Sequence, residues 1–419
     1  MQLFQNIRDF RRDPIRSTII ESLDYTFAAN TPSTKVINFL KSSGEIVADR
    51  IIVVGFGKAA IEMYKGAKDY LGERIWRSAI IAPEYEIVDD DASVLPGGHP
   101  LPTSESIKSS LRLLDSLNGL KDGDLVVVLI SGGGSSLFEV LRDGINLELF
   151  NESINCLMKN GANISEINAI RYVYSEVKGG GLLKYTFPAK VLGLIISDVP
   201  GDDVNTVASG PTGSPPSRET INHVMEKFGR VCQFSKNYKE EPRNQSYCVN
   251  HIILRNLDFV NSVVEFLKRR GEEVVSLGSG IQGSTIETAR LMLDNMRMRY
   301  ENLKRGFFVV GGGETSTTRI GHAKGGRNLE LCLRALALIE EGEKIYFGSF
   351  GTDGVDGSSG AMGAIVDNHT LALLGKKKID EFLSKSESLL PLQMTQDVIF
   401  TGPTGTNVSD IFISYYSKE

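Results

Sequence analysis

Short apolar runs that pass directly into glycine-rich turns constrain this chain most. Runs rich in valine and isoleucine occupy 50–54, 125–130 and 191–197. They lack the apolar–polar alternation of a strand with one wet face, so both faces are expected to be buried. A helical pattern at 59–70 follows the first turn, and helical patterns also cover 14–44. The first half is therefore predicted to be an α/β domain with a doubly wound, Rossmann-like parallel sheet.

A polar stretch with prolines at 213–250 interrupts this pattern and marks the predicted domain boundary. Apolar strand-like runs and helical patterns then resume, at 251–254, 257–269, 273–277, 307–310, 329–339 and 344–350. They predict a second α/β domain. We assign residues 1–235 to an N-terminal Rossmann-like domain and residues 236–419 to a C-terminal α/β domain.

Charge and composition exclude several classes of protein. The 46 basic and 52 acidic residues give a net charge of −6, which provides no broad basic surface for nucleic acid. The longest apolar runs are far shorter than the roughly 20 residues that span a bilayer. The N-terminal sequence lacks the apolar core of a secretory signal, so we expect a cytoplasmic protein. The cysteines at 156, 232, 248 and 332 include no CxxC pair, and neither a disulfide scaffold nor a zinc module is expected.

Glycine is enriched, with 43 residues in 419 against a usual ~7%, and the glycines concentrate after predicted strands. In open α/β sheets ligands bind beyond the carboxyl ends of the strands. Glycine turns there let backbone N–H groups surround an anion. A large anionic ligand is therefore predicted to contact these turn residues: Gly57, Ser131, Gly132, Gly133, Gly134, Ser135, Gly312, Gly313, Glu314 and Thr315. The alternative is that the glycine turns are only structural, and that Glu314 and Thr315 belong to a serine- and threonine-rich turn.

Two cations stand immediately before predicted helices. Lys58 follows Gly57, and Arg327 follows a glycine pair and precedes Asn328. The helix dipole disfavours positive charge at such positions, so each cation, with Asn328, is predicted to bind an anion. A solvent-facing lysine remains the alternative for Lys58.

Carboxylates cluster on the same turns. Asp198 ends one predicted strand, with Asp202 and Asp203 just beyond, and Asp353 and Asp356 follow another. Mg²⁺ bound to a nucleotide takes one or two carboxylates in addition to phosphates. We predict a metal site at Asp198 and Asp353. The alternative is that each aspartate caps a helix or closes a turn.

Three further residues are candidate ligand contacts. His99 lies in the proline-rich loop GGHPLP, and Arg171 and Lys178 lie in the polar stripe of INAIRYVYSEVKGGG. Either cation could reach a carboxylate or phosphate. The alternatives are a turn residue for His99 and a solvated helix face for Arg171 and Lys178.

A dinucleotide-binding interpretation also stays open. Residues 55–60 fit the G-x-G-x-x-G/A pattern after a strand, with Glu84 as a candidate ribose acid. A second match at 278–283 shows how readily the pattern arises in a glycine-rich chain. No Walker A loop surrounds Lys58, and Ser131 and Ser135 lack the G-x-S-x-G elbow of a serine hydrolase.

Taken together, the motifs of the chain resemble those of the glycerate kinase family whose C-terminal half is the MOFRL domain. They occur in this order: GFGKAA, GGHPLPT, SGGGSS, NAIRYVYSEVKGGGL, IISDVPGDD, ASGPT, GGGETS, KGGRNLEL, TDGVDGSSGAMGA and TGPTGTNVSD. The resemblance implies two α/β domains with the active site in the cleft between them. It also implies phosphorylation of D-glycerate with ATP and Mg²⁺, commonly at the 2-hydroxyl. The family's proposed catalytic lysine and arginine fall on Lys58 and Arg327, whereas segment 277–284 departs from the more acidic family pattern.

The sequence thus predicts a glycerate 2-kinase with Lys58, Arg327 and Asp198 as catalytic residues. Asp198 is the first candidate for the general base. The expected partners are glycerate and a nucleotide, with no nucleic acid and no membrane, and the chain is expected to be a monomer or homodimer. The alternatives are an NAD(P)-dependent hydroxypyruvate reductase and a two-domain binding protein without catalysis.

Overall fold

The computed structural model describes residues 3–6, 10, 13–84, 93–234, 246–317 and 323–418. These residues form two compact units. Residues Pro32–Leu254 form one, which we call the parallel-sheet unit. Residues Met1–Thr31 together with Arg255–Glu419 form the other, which we call the mixed-sheet unit.

The units differ in their bounds from the predicted domains. The predicted boundary between 235 and 236 lies outside the described residues, and the units divide at 254/255. The first 31 residues belong with the C-terminal part of the chain. The apolar run 251–254, assigned to the second domain from sequence, is the end of an edge strand of the first sheet.

Helices and strands alternate through most of the described chain. The α-helices are α1 Pro14–Ala29, α2 Pro32–Ser42, α3 Ala60–Leu71, α4 Ser104–Asp115, α5 Gly134–Leu137, α6 Leu147–Lys159, α7 Ile164–Tyr174, α8 Leu183–Thr186, α9 Arg218–Phe228, α10 Asn256–Arg269, α11 Thr285–Leu303, α12 Arg327–Ala337, α13 Asn368–Leu374, α14 Lys376–Ser384 and α15 Leu389–Met394. The strands are β1 Ile51–Phe56, β2 Ile75–Pro83, β3 Val94–Gly97, β4 Leu125–Ile130, β5 Lys190–Ile196, β6 Cys248–Leu254, β7 Val274–Ser284, β8 Phe307–Ser316, β9 Glu343–Gly351, β10 Gly363–Asp367, β11 Val398–Ile399 and β12 Asp410–Lys418. None of these helices is long and apolar enough to cross a membrane.

The sheet of the parallel-sheet unit confirms the doubly wound prediction. Its strand order among the described residues is β3-β2-β1-β4-β5-β6, and every neighbouring pair is parallel. This is the order of doubly wound sheets that bind ligands where the strand order reverses. Strand β1 is buried along its whole length, as its unbroken apolar sequence predicts. The turns after β1, β3, β4 and β5 all lie at the same edge of the sheet.

The sheet of the mixed-sheet unit runs in the order β11-β10-β9-β12-β8-β7 in the described part of the chain. Only β7 and β8 pair in parallel there, and the other neighbours are antiparallel. Asp410, the first residue of β12, pairs with Gly313 on one side and Gly351 on the other. The start of β12 therefore lies between the ends of β8 and β9, and the residues that follow those strands surround it.

The parallel-sheet unit contains a disulfide that the cysteine spacing did not predict. Cys156 on α6 is bonded to Cys232 beyond α9, with a Cα–Cα distance of 5.7 Å. The two residues are 76 positions apart, and they meet because α6, α7 and α9 pack around a common apolar cluster. Local spacing carries no signal of such a contact. Cys248 and Cys332 are free thiols.

Candidate active site

The turn after β1 is closed by its own hydrogen bonds. Its consecutive N–H groups donate within the protein, with these partners: Gly57 to Ile81 O at 3.1 Å, Lys58 to Gly132 O at 2.9 Å, Ala59 to Ser131 Oγ at 3.0 Å and Ala60 to Gly57 O at 3.1 Å. Gly57 has φ +128°, and a Cβ there would lie 2.2 Å from Ser131 Oγ. The glycine thus allows two turns to touch. What this turn offers a ligand is the Lys58 side chain rather than its backbone.

In the turn after β4, by contrast, two consecutive backbone N–H groups are not used by the described residues. The N–H groups of Gly132 and Gly133 donate to no described residue, although Gly132 is buried. Gly133 has φ +81°, and a Cβ there would lie 3.2 Å from Lys58 Cγ and 3.3 Å from His99 Cδ2. Buried N–H groups are normally paired. The structure therefore brings Lys58 and the exposed His99 together around backbone donors that suit an anion.

Polar side chains connect this turn to helix α7. Ser135 Oγ and Ser209 Oγ are 2.8 Å apart, and Ser209 Oγ donates to Asn168 Oδ1 at 2.8 Å. Arg171 Nη1 donates to the same oxygen at 3.1 Å. Burial lowers the pKa of Arg171 to about 10, opposed by the charge of Glu139. Arg171 is thus tied to the 131–136 turn instead of lying on a freely solvated face.

Lys178 is fully buried, so the solvated-face alternative is wrong for it. Its ammonium donates to Gly134 O at 3.3 Å and to Phe138 O. Glu139, also fully buried, accepts a hydrogen bond from Ser175 Oγ. Glu139 was not predicted as a functional residue, although a single carboxylate inside the apolar run LFEVL was a signal for it.

The carboxylates after β5 play different roles. Asp198 lies two residues beyond the strand end and is partly exposed, at the same edge as Lys58. Asp203 accepts from the N–H of Asn205 at 3.0 Å and from Thr206 Oγ1 at 2.8 Å. Asp203 therefore closes a turn, as the alternative interpretation proposed.

In the mixed-sheet unit, Asp356 caps helix α12. It accepts from the N–H groups of Asn328 at 3.1 Å and Leu329 at 2.9 Å. A Cβ on Gly326 would lie 2.3 Å from this carboxylate, so the glycine before Arg327 makes room for the cap. Burial raises the pKa of Asp356 to about 6, although the hydrogen bonds from those two N–H groups lower it. The start of α12 is therefore occupied by a carboxylate of the protein itself.

Arg327 is held by two carboxylates. Its Nε and Nη2 donate to the two oxygens of Asp410 at 2.6 and 3.0 Å, and Nη1 donates to Glu314 Oε1 at 2.6 Å. Burial alone would lower the pKa of Arg327, but Asp410 and Glu314 raise it above its ordinary value. Asp410 is fully buried and Glu314 is 42% exposed. The bidentate Asp410 pair thus fixes the guanidinium, and Glu314 covers its more open end.

Asp410 was not singled out from the sequence, although it is the last residue of the motif TGPTGTNVSD. Asn328 was predicted from the sequence, and its Nδ2 donates to Asp410 Oδ1 at 3.1 Å. Asp353 is partly exposed and accepts from the Val355 N–H at 3.1 Å. A Cβ on Gly351 would lie 3.3 Å from Asp353 Oδ1 and 3.7 Å from Asp410 Oδ1. These carboxylates therefore gather at the edge where β9 ends and β12 begins.

The glycine triplet of β8 has a packing explanation. A Cβ on Gly312 would lie 1.9 Å from Asn256 Oδ1, and one on Gly313 would lie 2.0 Å from Ile281 O. Thr315 is buried, and its hydroxyl has no hydrogen-bond partner in the described part of the chain. Nucleotide contacts at Gly312, Gly313 and Thr315 stay predictions, as does the metal site. Within the described ranges, no group of three His, Cys, Asp or Glu side chains is arranged to hold a metal ion.

Fold and site together define a class of α/β protein in which cations, carboxylates and open backbone donors collect at strand ends. Residues 19–240 match the family described as Domain of unknown function (DUF4147), and residues 307–410 match the MOFRL family. The chain belongs to the glycerate kinase family that combines these two domains, which confirms the resemblance found in the sequence.

The relatives are similar over almost their whole lengths. The glycerate 2-kinase of Picrophilus torridus is 36% identical, with 99% of this chain and 100% of that protein aligned. The D-glycerate 2-kinase of Thermotoga maritima is 34% identical, over 96% of this chain and 99% of that protein. A crystal structure of glycerate kinase from Thermotoga maritima has a TM-score of 0.83 at 33% identity, covering 95% of this chain and 98% of that one.

Proposed function

We propose that this chain is a glycerate 2-kinase, which transfers the γ-phosphoryl group of ATP to the 2-hydroxyl of D-glycerate. The observation that carries the proposal is the pair of open N–H groups at Gly132 and Gly133, with Lys58 and His99 beside them. A carboxylate or phosphate oxygen supplies the acceptors that these donors lack. The kinase names of the relatives support the same activity.

Lys58 and the turn after β4 bind the substrate in this proposal. The open N–H groups hold the glycerate carboxylate, and His99 contacts a hydroxyl. The Lys58 ammonium neutralises charge on the transferred phosphoryl group, since catalysis of phosphoryl transfer is mostly positioning and charge stabilisation. Arg171, tied through Asn168 to Ser209, keeps the turn in place on its other side.

Asp198 is the proposed general base. As the 2-hydroxyl oxygen attacks phosphorus, the bond from phosphorus to the leaving oxygen of ADP breaks. The hydroxyl proton passes to the Asp198 carboxylate. A partly exposed carboxylate two residues beyond β5 lies at the same strand-end edge as the turns that hold the substrate, which is the position this role requires.

Arg327 is the proposed contact for the nucleotide phosphates. Its Nε and Nη2 are committed to the buried Asp410, whereas Nη1 is paired with the more exposed Glu314. A phosphate oxygen can take the place of Glu314 on that end. A guanidinium fixed in this way has little freedom left to lose when it binds phosphate.

Asp198 and Asp353 are the proposed protein contacts of a nucleotide-bound Mg²⁺. Such an ion takes only one or two protein carboxylates, with phosphates and water supplying the rest. Asp353 is partly exposed beside Asn328 and Asp410, and Asp198 follows a strand end. Mg²⁺ would supply charge neutralisation on the phosphate oxygens.

The structure gives a reason to prefer the kinase over the hydroxypyruvate reductase. A dinucleotide pyrophosphate binds the N–H groups of the glycine turn that follows the first strand. Here those of Gly57, Lys58, Ala59 and Ala60 all donate to protein acceptors. Incubation with hydroxypyruvate and NADH or NADPH should therefore leave the absorbance at the nicotinamide band unchanged.

We expect direct formation of 2-phosphoglycerate from D-glycerate, ATP and Mg²⁺. An assay coupled through enolase should register product without a phosphoglycerate mutase, because enolase accepts only the 2-isomer. The isomer can be assigned independently by phosphorus NMR of the product. A signal that requires added mutase would instead place the phosphoryl group on the 3-hydroxyl.

Asp353→Asn and Asp198→Asn are expected to raise the Mg²⁺ concentration needed for half-maximal rate by about tenfold or more, as for lost metal contacts. The amide keeps the shape of the side chain but loses its charge. The rate is measured against total Mg²⁺ for each variant. Asp380→Asn on the exposed face of α14 is the matched control, and it should behave as the parent protein. An unchanged Mg²⁺ requirement in both site variants would place the ion elsewhere.

A further inference from the structure

Lys178 and Glu139 form a buried pair of opposite charge that the proposed reaction does not use directly. Both side chains are inaccessible to solvent. Removing an ammonium and a carboxylate from water costs several kcal/mol for each ion, and a buried ion pair often contributes no net stability. The contacts of the two side chains must therefore explain why these charges are buried.

The Lys178 ammonium touches the backbone of the substrate-binding turn. It donates to the carbonyl oxygen of Gly134 at 3.3 Å and to that of Phe138. These carbonyls belong to the residue that begins α5 and the residue that follows it. Lys178 thus attaches the segment after the open N–H groups to the chain segment that follows α7.

The contact at Gly134 acts on Ser135 through a shared peptide unit. The carbonyl of Gly134 and the N–H of Ser135 lie in one plane and point in opposite directions, because the peptide bond is planar and trans. Anchoring the oxygen therefore fixes the direction of the N–H. A cation on the oxygen also polarises the amide and makes its N–H a better donor. The Ser135 N–H donates to no described residue, and the Ser135 hydroxyl is 2.8 Å from Ser209 Oγ.

We propose that Lys178, with its charge balanced by Glu139, is a positioning residue that orients the donors of the 131–135 turn toward the anionic substrate. It does not touch the substrate itself. The inference rests on the proposed function, because it assigns the turn to substrate binding.

The surroundings of the pair give this role a pH dependence. Two cations, Lys178 and Arg171, act on Glu139, and the Ser175 hydroxyl donates to it. Burial raises the pKa of Glu139 to about 7, opposed by Lys178. Burial lowers the pKa of Lys178 to about 8, opposed by Glu139. Because burial lowers its pKa, Lys178 loses its proton, and with it the charge that polarises the turn, at a lower pH than an exposed lysine would.

The test measures D-glycerate binding by calorimetry, alongside turnover, from pH 6 to 9. The parent protein should bind more weakly above about pH 8. Lys178→Met should weaken binding about tenfold or more at pH 7, the size of a lost charged hydrogen bond, and should remove this alkaline weakening. Lys190→Met, at the exposed start of β5, is the control and should match the parent. Circular dichroism and thermal unfolding check the fold of each variant.

Glu139→Gln is the second variant and decides the matter if Lys178→Met fails to fold. Without the carboxylate that raises the pKa of Lys178, the alkaline weakening should move about one unit or more to lower pH. A folded Lys178→Met with parental affinity and pH profile overturns the proposal, and so does an unshifted profile in Glu139→Gln. Parental protein that binds D-glycerate without forming phosphoglycerate would reject the kinase but not the positioning role, whereas absence of binding would reject both.

Discussion

Arg327→Ala is expected to lower kcat by about 10²- to 10⁴-fold, the range for losing a preorganised charge contact in phosphoryl transfer. The guanidinium is fixed by both oxygens of Asp410, so its position needs no rearrangement when a phosphate arrives. Because the contact strengthens as charge develops on the transferred group, kcat and kcat/KM should fall together. Steady-state kinetics with D-glycerate saturating and ATP varied give both values.

The same substitution is expected to lower stability, because it leaves the buried Asp410 carboxylate without its cation. Removing one partner of a buried pair costs about 3–5 kcal/mol. Arg334→Ala is the matched control, since Arg334 lies on the same helix and pairs with Glu330 at 3.1 Å. Arg327→Lys keeps the charge but lacks the planar fork, so it should recover only part of kcat. Near-normal kcat in a folded Arg327→Ala would exclude the catalytic role.

The first sheet was predictable because its strands carry their own signal. Runs such as 125–130 are apolar on both faces, and each is followed by a glycine turn, so a parallel sheet was the expected arrangement. The unit boundary was not predictable in this way. Strand β6 has the same local character as a strand of the second sheet, and its assignment depends on pairing with β5, a contact between residues far apart in sequence.

In the candidate site, too, the role of a single residue depends on contacts between residues far apart in sequence. The sequences GFGKAA at 55–60 and SGGGSS at 131–136 both place glycines at the end of a strand, yet among the described residues the N–H groups of the first turn are paired and those of Gly132 and Gly133 are not. Ser131 decides this, because its hydroxyl accepts the Ala59 N–H and its backbone lies against Gly57. Likewise, nothing local distinguishes Asp356, which caps a helix, from Asp410, which binds Arg327.

Charge placed near a helix start predicted Lys58 and Arg327 as functional candidates. Lys178 was predicted as a ligand contact or a solvated surface residue, and its burial was not predicted. Lys178 follows α7 in a segment whose exposure depends on how the 134–138 backbone packs over it. Glu139 gave a signal of a different kind, as a charge inside an apolar run. Buried charges of this type are recognised from sequence only when the apolar run around them is taken as evidence of burial.

Lys58→Ala is expected to lower kcat by about 10²- to 10⁴-fold with little loss of stability. The Lys58 N–H donates to Gly132 O, and alanine keeps that bond. Lys65→Ala, on the exposed side of α3 and paired with Glu62, is the control.

Gly133→Ala tests the same place without removing a charge: a Cβ there would lie between Lys58 and His99, and the φ of +81° is strained for alanine. It should therefore weaken D-glycerate binding. Full kcat in a folded Lys58→Ala would reject the role proposed for this lysine. Loss of kcat in Lys58→Ala, with Lys65→Ala unaffected, would assign the transition-state charge to this turn.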